Sequence, residues 1–298
     1  MSVASALKTL GEYRTRHSRA SQDIFEKGFY ILEQTSLQKL GDEAWPFLEQ
    51  FALAALDIGR SDVADDCIRE LNDQFPDSPR VNILTGIRME ATETAETCLR
   101  YYDEIQDAES PNPTIWKRRI SILRRTGKME KAVEELCQLL DTFYNDVEGW
   151  VELADMYSAC NQYTSALQSL SHVLLLAPQN PFYFLQFAET AHSADDITLA
   201  LKMFLLVVDM CDRDLPTAAK DSVPTGLSVR AWWGVKLCAR QLLSSRSSFK
   251  SASDTPVPKD IELIDRLATE RVLTSYSSPE KGKAPAGRDI VLSFMKAS

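Results

Sequence analysis

The sequence predicts an all-α fold built from repeated helical hairpins. A small residue recurs every 34 residues, large apolar residues recur at fixed distances from it, and glycine is scarce, with 11 in 298 residues. A fixed period of this length is the signature of a repeat architecture. Helices need few of the positive-φ positions that glycine serves, so its scarcity also favours helix. With 44% hydrophobic residues, the chain has enough apolar material for a packed core.

The period is visible at several positions of a five-unit frame that begins at residue 45. The twentieth position carries the small residue: Ala64, Cys98, Ala132, Ala166 and Ala200. Four residues later stands a large apolar residue: Ile68, Tyr102, Leu136, Leu170 and Phe204. The eighth position is small in four of the five units: Ala52, Gly86, Ile120, Ala154 and Ala188. These coincidences at one spacing indicate a true repeat.

Each unit is expected to form two antiparallel helices. Small residues at the eighth and twentieth positions let the two backbones approach closely, and large residues fill the space around the crossing. Three units have a proline near their end, which stops the second helix: Pro76, Pro111 and Pro178. One hairpin cannot bury its apolar face alone, so units stack. The pattern resembles the tetratricopeptide repeat (TPR) family over 45–214, which implies an α-solenoid, a right-handed superhelix of helical hairpins.

Units two and three depart most from the TPR pattern. Asn82 replaces an aromatic residue, Ile120 replaces a small one, and Arg119 stands where an apolar residue is usual. Two interpretations stay open: the packing of these units is looser, or these positions face a partner.

The repeat frame and the local composition divide the chain into four parts. They are a capping helix region at 1–44, five TPR-like repeats at 45–214, C-terminal helices at 215–276 with a Ser/Pro-rich linker at 244–258, and a flexible tail at 277–298. Outside the repeats, apolar stripes predict helices over 21–40, 228–243 and 259–276. Trp232 and Trp233 are adjacent and cannot share one helical face, but we expect a core position for both.

Charge separates the chain into acidic and basic stretches. The net charge is −10, so the chain has no overall attraction for nucleic acid or anionic lipid, and no nucleic-acid partner is expected. Residues 117–131 nevertheless contain seven basic residues and one Glu. Two interpretations of this cluster stay open: neighbouring acidic helices neutralise it within the stack, or it binds an acidic partner segment or an anionic surface.

The residues for catalysis, metal binding or cofactor binding are missing from the sequence. The three histidines form no metal-binding pair, the six cysteines lack zinc or redox spacing, and no glycine-rich phosphate loop occurs. Cys160 and His172 could be imagined as a nucleophile and its base, but the repeat frame places them in a turn and on a second helix. We therefore expect no enzyme activity, no cofactor and no metal.

Targeting and membrane signals are also missing. The first 20 residues contain Lys8, Glu12 and three arginines instead of an apolar signal core. The longest apolar runs are far shorter than the ~20 residues of a membrane span. No usable N-glycosylation site occurs, because Asn112 precedes Pro113. The expectation is a soluble protein on the cytosolic side.

A stretch of the first two units carries residues beyond those that the TPR frame requires. They include Leu40, Gly41, Asp42, Trp45, Glu49, Gln50, Ala54, Ala55, Leu56, Asp57, Gly59, Phe75, Pro76, Ser78, Arg80, Val81, Leu84, Gly86, Glu90 and Ala91. On these residues and on the basic run near Lys117, the sequence is similar to the family of subunit 2 of the endoplasmic-reticulum membrane protein complex. The similarity extends over about 40–215.

This resemblance implies a non-catalytic scaffold on the cytosolic face of the endoplasmic-reticulum membrane. Such a subunit would bridge the soluble and membrane subunits of a hetero-oligomeric complex that inserts transmembrane proteins, including tail-anchored ones. It would associate with the membrane only through its partners.

First helices line the inner surface of a TPR superhelix, so charged residues on them are the candidate protein-binding residues. With the basic cluster included, these are Arg80, Lys117, Arg118, Arg124, Arg125, Glu148, Asp155 and Glu189. The alternative function is a peptide-binding TPR adaptor or cochaperone. Chaperone-binding TPR proteins clamp a terminal carboxylate with a Lys and an Asn at the fifth and ninth positions. No unit here has that pair, so this alternative is weaker.

Overall fold

The computed structural model describes residues 2–108, 112–213, 223–244, 251–277 and 287–296, and it contains no β-strand within those ranges. The helices are α1 (Val3–Thr15), α2 (Ser21–Gln34), α3 (Leu37–Leu40), α4 (Ala44–Asp57), α5 (Ser61–Gln74), α6 (Pro79–Thr92), α7 (Ala95–Ala108), α8 (Pro113–Arg125), α9 (Met129–Thr142), α10 (Val147–Ala159), α11 (Tyr163–Leu176), α12 (Pro181–Ser193), α13 (Ile197–Arg213), α14 (Leu227–Ser244), α15 (Ile261–Ser275) and α16 (Arg288–Lys296). A 3₁₀ turn at Gly41–Glu43 precedes α4. The predicted all-α fold is confirmed.

Helix pairs α4–α5 to α12–α13 follow the 34-residue frame, and local chemistry marks their ends. Pro79, Pro113 and Pro181 open three of the first helices, where a missing N–H costs nothing. The Asn112 and Asn180 side chains accept hydrogen bonds from the backbone two residues on, at 3.0 and 3.1 Å. These caps satisfy backbone donors that would otherwise lack a partner.

In four of the five units the turn between the two helices has a residue with positive φ, whereas Glu93 of the second unit has φ −106°. These positive-φ residues are Gly59, Gly127, Asn161 and Asp195, at φ of 80°, 75°, 58° and 61°. They stand at the fifteenth position of their units. Gly, Asn and Asp tolerate this left-handed conformation best, which explains their presence at these positions.

The chain forms two bodies, the N-terminal body Met1–Glu135 and the C-terminal body Leu136–Ser298. In the N-terminal body, α1 and α2 form a further hairpin before the first predicted unit. Gly28 of α2 lies under Phe51 of α4 and Gly86 of α6 lies under Tyr102 of α7, so closely that a Cβ on either glycine would overlap the ring. The glycine lets the two helices approach closely, and the aromatic ring of the other helix fills the space at the crossing.

In the C-terminal body, the same contact joins α13 and α14, where Gly234 lies under Phe204. Lys236 of α14 is almost completely buried and its Nζ contacts both carboxylate oxygens of Asp265 on α15, at 2.7 and 2.9 Å. Trp232 is buried as predicted, whereas Trp233 is half-buried and packs against Tyr276 and Phe294.

The small residues of the twentieth position are all completely buried, as the repeat requires: Ala64, Cys98, Ala132, Ala166 and Ala200. Two departures from the TPR pattern are also accommodated within the stack. Ile120 is fully buried, and Arg119 pairs with Asp103 and with Glu135. Neither residue is available as a free contact for a partner.

Besides the half-buried Trp233, the C-terminal part of the structure contains a helix that the sequence does not predict. Helix α16 lies within 277–298, for which the sequence predicts a flexible tail. It is ordered because Val291 is buried and the Phe294 ring packs on Trp233 and Arg240. Parts of the predicted loop, linker and tail, at 215–222, 245–250, 278–286 and 297–298, lie outside the described residues.

The close crossing of α6 and α7 predicts that one methyl group added at Gly86 destabilises the protein. In the Gly86→Ala variant, the new Cβ would lie 2.4 Å from Tyr102 Oη and 2.5 Å from Cε1. We expect the free energy of unfolding to fall by about 1–3 kcal/mol, since a fully buried ring cannot move aside freely. Urea denaturation followed by far-UV circular dichroism measures this. The control is Gly11→Ala in α1, where the nearest atom, Arg14 Nη2, is 3.8 Å away. That variant should be unchanged or up to about 1 kcal/mol more stable, and equal stability of the two variants would contradict the assignment.

Candidate protein-binding surface

A groove runs along one side of the N-terminal body, with a volume of about 690 Å³. We call it the N-terminal groove. Its lining comes from α1, the following turn and the start of α2, and from the first helices α4, α6 and α8. Charged residues of the lining include Arg14, Arg19, Glu49, Asp57, Arg80 and Arg118, and apolar ones include Ile24, Pro46, Leu53, Leu56 and Ile87. The structure thus brings together Arg80 and Arg118, two of the sequence-predicted residues.

The arginines of the groove are held by carboxylates, and in three pairs the guanidinium is the more exposed partner. The exposed side-chain fractions are 82% and 28% for Arg19 and Asp57, 76% and 35% for Arg80 and Glu49, and 32% and 11% for Arg118 and Glu90. The hydrogen bond from Arg19 lowers the pKa of Asp57. A guanidinium has five N–H donors, so one carboxylate does not saturate it. An approaching ligand therefore meets N–H donors first.

Arg118 also belongs to a network beneath the groove. Glu90 Oε1 accepts hydrogen bonds from Arg118 Nε at 2.9 Å and from the Tyr102 hydroxyl at 2.8 Å. Burial, and secondly the hydrogen bond to Glu90, raise the pKa of Tyr102. Arg118 thus stabilises the stack and faces the groove at the same time.

The basic cluster of α8 divides into two groups. Arg118 and Arg119 pair with acidic residues of the neighbouring helices, as the first of the two interpretations expects. Arg124 and Arg125 lie exposed at the end of α8. Lys117 and Arg124 each make an interaction within the chain.

Polar and charged residues of neighbouring helices also meet in the C-terminal body. Gln186 Nε2 of α12 donates to Asp155 Oδ1 of α10 at 3.0 Å. Glu189 of α12 binds Arg230 of α14 through two N–H donors, at 2.6 and 2.8 Å. Sequence reasoning missed Arg230 because the repeat register is lost after α13. The remaining candidate, Glu148, is exposed in the first turn of α10 and has no close link to these residues.

The structure separates the one imagined catalytic pair. The His172 ring stacks on Trp150, with 4.2 Å between the ring centroids, near the start of α10. Cys160 follows the end of α10, and ten residues of helix correspond to a rise of about 15 Å. Burial raises the pKa of Cys67 and of Cys238 to about 12, so these thiols are not nucleophiles at neutral pH.

The described ranges contain neither a metal site nor a helix suited to a membrane. Within them, no cluster of three or more His, Cys, Asp or Glu side chains could hold a metal ion. None of the helices seen there combines the length and apolarity needed to cross a bilayer.

Stacked hairpins with buried small residues at each crossing, and charged first helices along a groove, define a TPR repeat protein. The solved structure of the C-terminal part of a TPR repeat-containing protein from Cytophaga hutchinsonii has the same fold. Its TM-score is 0.58 at 16% sequence identity, and the match covers 90% of this chain and 98% of that one.

Sequence comparisons narrow the class to one family. The model of the EMC2 TPR-like repeat domain matches residues 77–198. ER membrane protein complex subunit 2-A of Xenopus laevis is 37% identical over 195 residues, which cover 64% of this chain and 65% of that protein. TPR repeat protein oca3 of Schizosaccharomyces pombe is 32% identical over 227 residues, which cover 73% and 76%. The chain belongs to the EMC2 family of TPR-like repeat proteins. Its match spans just under two thirds of the length of the Xenopus relative.

Removal of the Arg118 cation should lower the stability of the protein, because Arg118 belongs to the network beneath the groove. In Arg118→Met, the largely buried Glu90 carboxylate keeps its hydrogen bond from the Tyr102 hydroxyl but loses its cation. We expect a loss of about 1–3 kcal/mol in the free energy of unfolding, measured by urea denaturation. The double variant Arg118→Met with Glu90→Gln should recover much of it, because the unpaired charge is gone. Arg125→Met, at the exposed end of the same helix, is the control and should stay within about 0.5 kcal/mol of the wild type. Purely additive losses in the double variant would contradict this network.

Proposed function

We propose that the chain is a non-catalytic scaffold subunit of an endoplasmic-reticulum membrane protein complex. In this role it bridges the soluble and membrane subunits and supports the insertion of transmembrane proteins, tail-anchored ones included. The observation that carries the proposal is the 37% identity to a Xenopus protein named as subunit 2 of such a complex. A TPR stack suits a scaffold, because its first helices present one continuous row of side chains to other proteins.

The proposed place of the chain is the cytosolic face of the endoplasmic-reticulum membrane, held there by other subunits of a hetero-oligomer. This placement rests on the family. The net charge of −10 supports attachment through proteins, because an acidic chain is not attracted to anionic lipid or to nucleic acid.

The proposed contact residues are the charged residues on the first helices. In the N-terminal body they are Arg80, Lys117, Arg118, Arg124 and Arg125. In the C-terminal body Asp155 and Glu189 occupy neighbouring first helices, and Glu148 opens α10. Many of these side chains already have a partner within the chain, which fixes their position before a partner protein arrives and lowers the entropic cost of binding.

Affinity purification tests the scaffold role. The tagged chain is purified in mild detergent from cells that express it, and the bound proteins are identified by mass spectrometry. We expect a fixed set of membrane proteins of the endoplasmic reticulum in near-equal amounts. Recovery of chaperones instead would favour the cochaperone alternative, and recovery of no membrane protein would refute the proposal.

A charge reversal on a first helix should weaken the binding of partner proteins without unfolding the chain. Arg230 contacts both carboxylate oxygens of Glu189. Glu189→Lys therefore replaces this ion pair with two adjacent cations, Lys and Arg230. If this surface binds partners, the recovered amount of at least one subunit should fall several-fold relative to the tagged wild type. The matched control is Asp209→Lys, which breaks the exposed pair of Asp209 and Arg213 within α13. Equal recovery by the two variants, with unchanged helicity, would remove Glu189 from the contact surface.

A further inference from the structure

A second, smaller cavity of about 190 Å³ opens beside the N-terminal groove. We call it the Trp45 pocket. Leu71, Val81 and Leu84 are buried and form its floor, at the junction of α4, α5 and α6. Trp45 and Phe75 form a wall, with the rings edge to face and 5.3 Å between their centroids. Water has few hydrogen-bonding partners against such a surface, so a matching apolar side chain would displace it favourably.

The rim of the Trp45 pocket carries a single ion pair. Glu49 and Arg80 line the pocket, and the Arg80 guanidinium is the more exposed of the two. Both residues also line the N-terminal groove, as does Pro46, so the pocket is a side chamber of that groove. A ligand lying in the groove can place one group in the chamber and a neighbouring group on Arg80.

The size and chemistry of the pocket define the occupant. Since a water molecule takes about 30 Å³ of liquid volume, the cavity has the size of about six waters, close to one large apolar side chain. The rim offers an exposed guanidinium, which binds carboxylates with two parallel hydrogen bonds. A phosphate backbone would need several cations, and the pocket itself offers Arg80 beside a carboxylate. An apolar anchor in a pocket, bordered by a charge pair, is the usual composition of an energetic centre in a protein interface.

Two of the lining residues, Trp45 and Phe75, stand outside the core positions of the repeat frame, so the packing of the repeat does not by itself require aromatic rings there.

We propose that the Trp45 pocket binds one leucine-, methionine- or phenylalanine-sized side chain of a partner protein, and that Arg80 binds an aspartate or glutamate beside it. The partner segment is thus an apolar residue between acidic ones. This inference rests on the proposed scaffold function, and it adds the chemistry of the segment that the scaffold holds.

Peptide binding to the purified 298-residue chain tests this proposal. The probe is a short fluorescein-labelled peptide with one phenylalanine between glutamates, titrated to millimolar chain concentration and followed by anisotropy. One comparison peptide has alanine in place of the phenylalanine, and another has lysines in place of the glutamates. We expect saturable binding of the probe alone, with either replacement weakening it about tenfold or more. Absence of saturation, or equal binding of the lysine peptide, would overturn the proposal.

Variants of the chain locate the binding site. Phe75→Ala removes the wall, Arg80→Glu reverses the rim charge, and Ser78→Trp fills the cavity without deleting a core atom. Ser78 precedes α6 but its side chain makes no capping hydrogen bond, so this replacement should not disturb the helix start. Each variant should weaken probe binding about tenfold.

The controls resemble these variants in chemistry but lie away from the pocket. Phe29→Ala removes an aromatic ring that is exposed to about the same degree as Phe75, and Arg69→Glu breaks the exposed pair of Arg69 and Asp66. Both should bind the probe within about twofold of the wild type. If Ser78→Trp and Phe75→Ala bind like the wild type at unchanged helicity, the pocket is not the site.

Two further results would name a different occupant and overturn the proposal. One is competition of the probe by a single-stranded oligonucleotide. The other is a dimer in light scattering that Ser78→Trp dissociates, which would show a second copy of this chain in the pocket. The purification described above is independent of the peptide. Recovery of membrane subunits without probe binding therefore refutes the pocket alone, and probe binding without their recovery refutes the scaffold role alone.

Discussion

The structure depends on close helix crossings, at which one helix has a small residue and the other a large one. Gly86 under Tyr102 and Gly234 under Phe204 show how little space remains, because a single Cβ would overlap the ring. Crossings this close fix the rotation of each helix about its own axis, since only one face fits. The face opposite the crossing is fixed with it. That is how Glu49, Arg80 and Arg118 come to line one groove although they are far apart in sequence.

What could be predicted from the sequence is what the 34-residue period encodes. The buried small residues, the helix order and the placement of Asp155 and Glu189 on first helices follow from the frame. The left-handed turns at Gly59, Gly127 and Asn161 could have been found too, since they share the fifteenth position. The departures at Arg119 and Ile120 left looser packing or a partner-facing position open, but Ile120 is buried in the stack, and Arg119 can enter it because Asp103 and Glu135 neutralise its charge.

What could not be predicted depends on pairs that the period does not connect. Lys236 reads as an exposed residue of α14, yet it is buried because Asp265 of a helix 29 residues later neutralises it. Helix α16 is similar: nine residues with no frame become ordered because Trp233 offers Phe294 a ring to pack on. The Trp45 pocket could not be predicted from the period either. Its wall is formed by two residues outside the repeat core that meet only after α4 and α5 have packed.

Net charge is a poor guide to the surface that a partner meets on this chain. At −10 the chain as a whole should repel acidic ligands that approach to within about a Debye length, beyond which salt screens the charge. At contact distance the exposure of individual groups matters more, and Asp57, Glu49 and Glu90 are each less exposed than the groove arginine with which they pair. A carboxylate that arrives in the groove meets donors oriented by these acids. The net charge lowers the local concentration of a free acidic peptide near the groove. A segment that belongs to a larger assembly is held near the groove by the rest of the assembly, so this combination of repulsion and contact attraction favours such a segment over a free peptide.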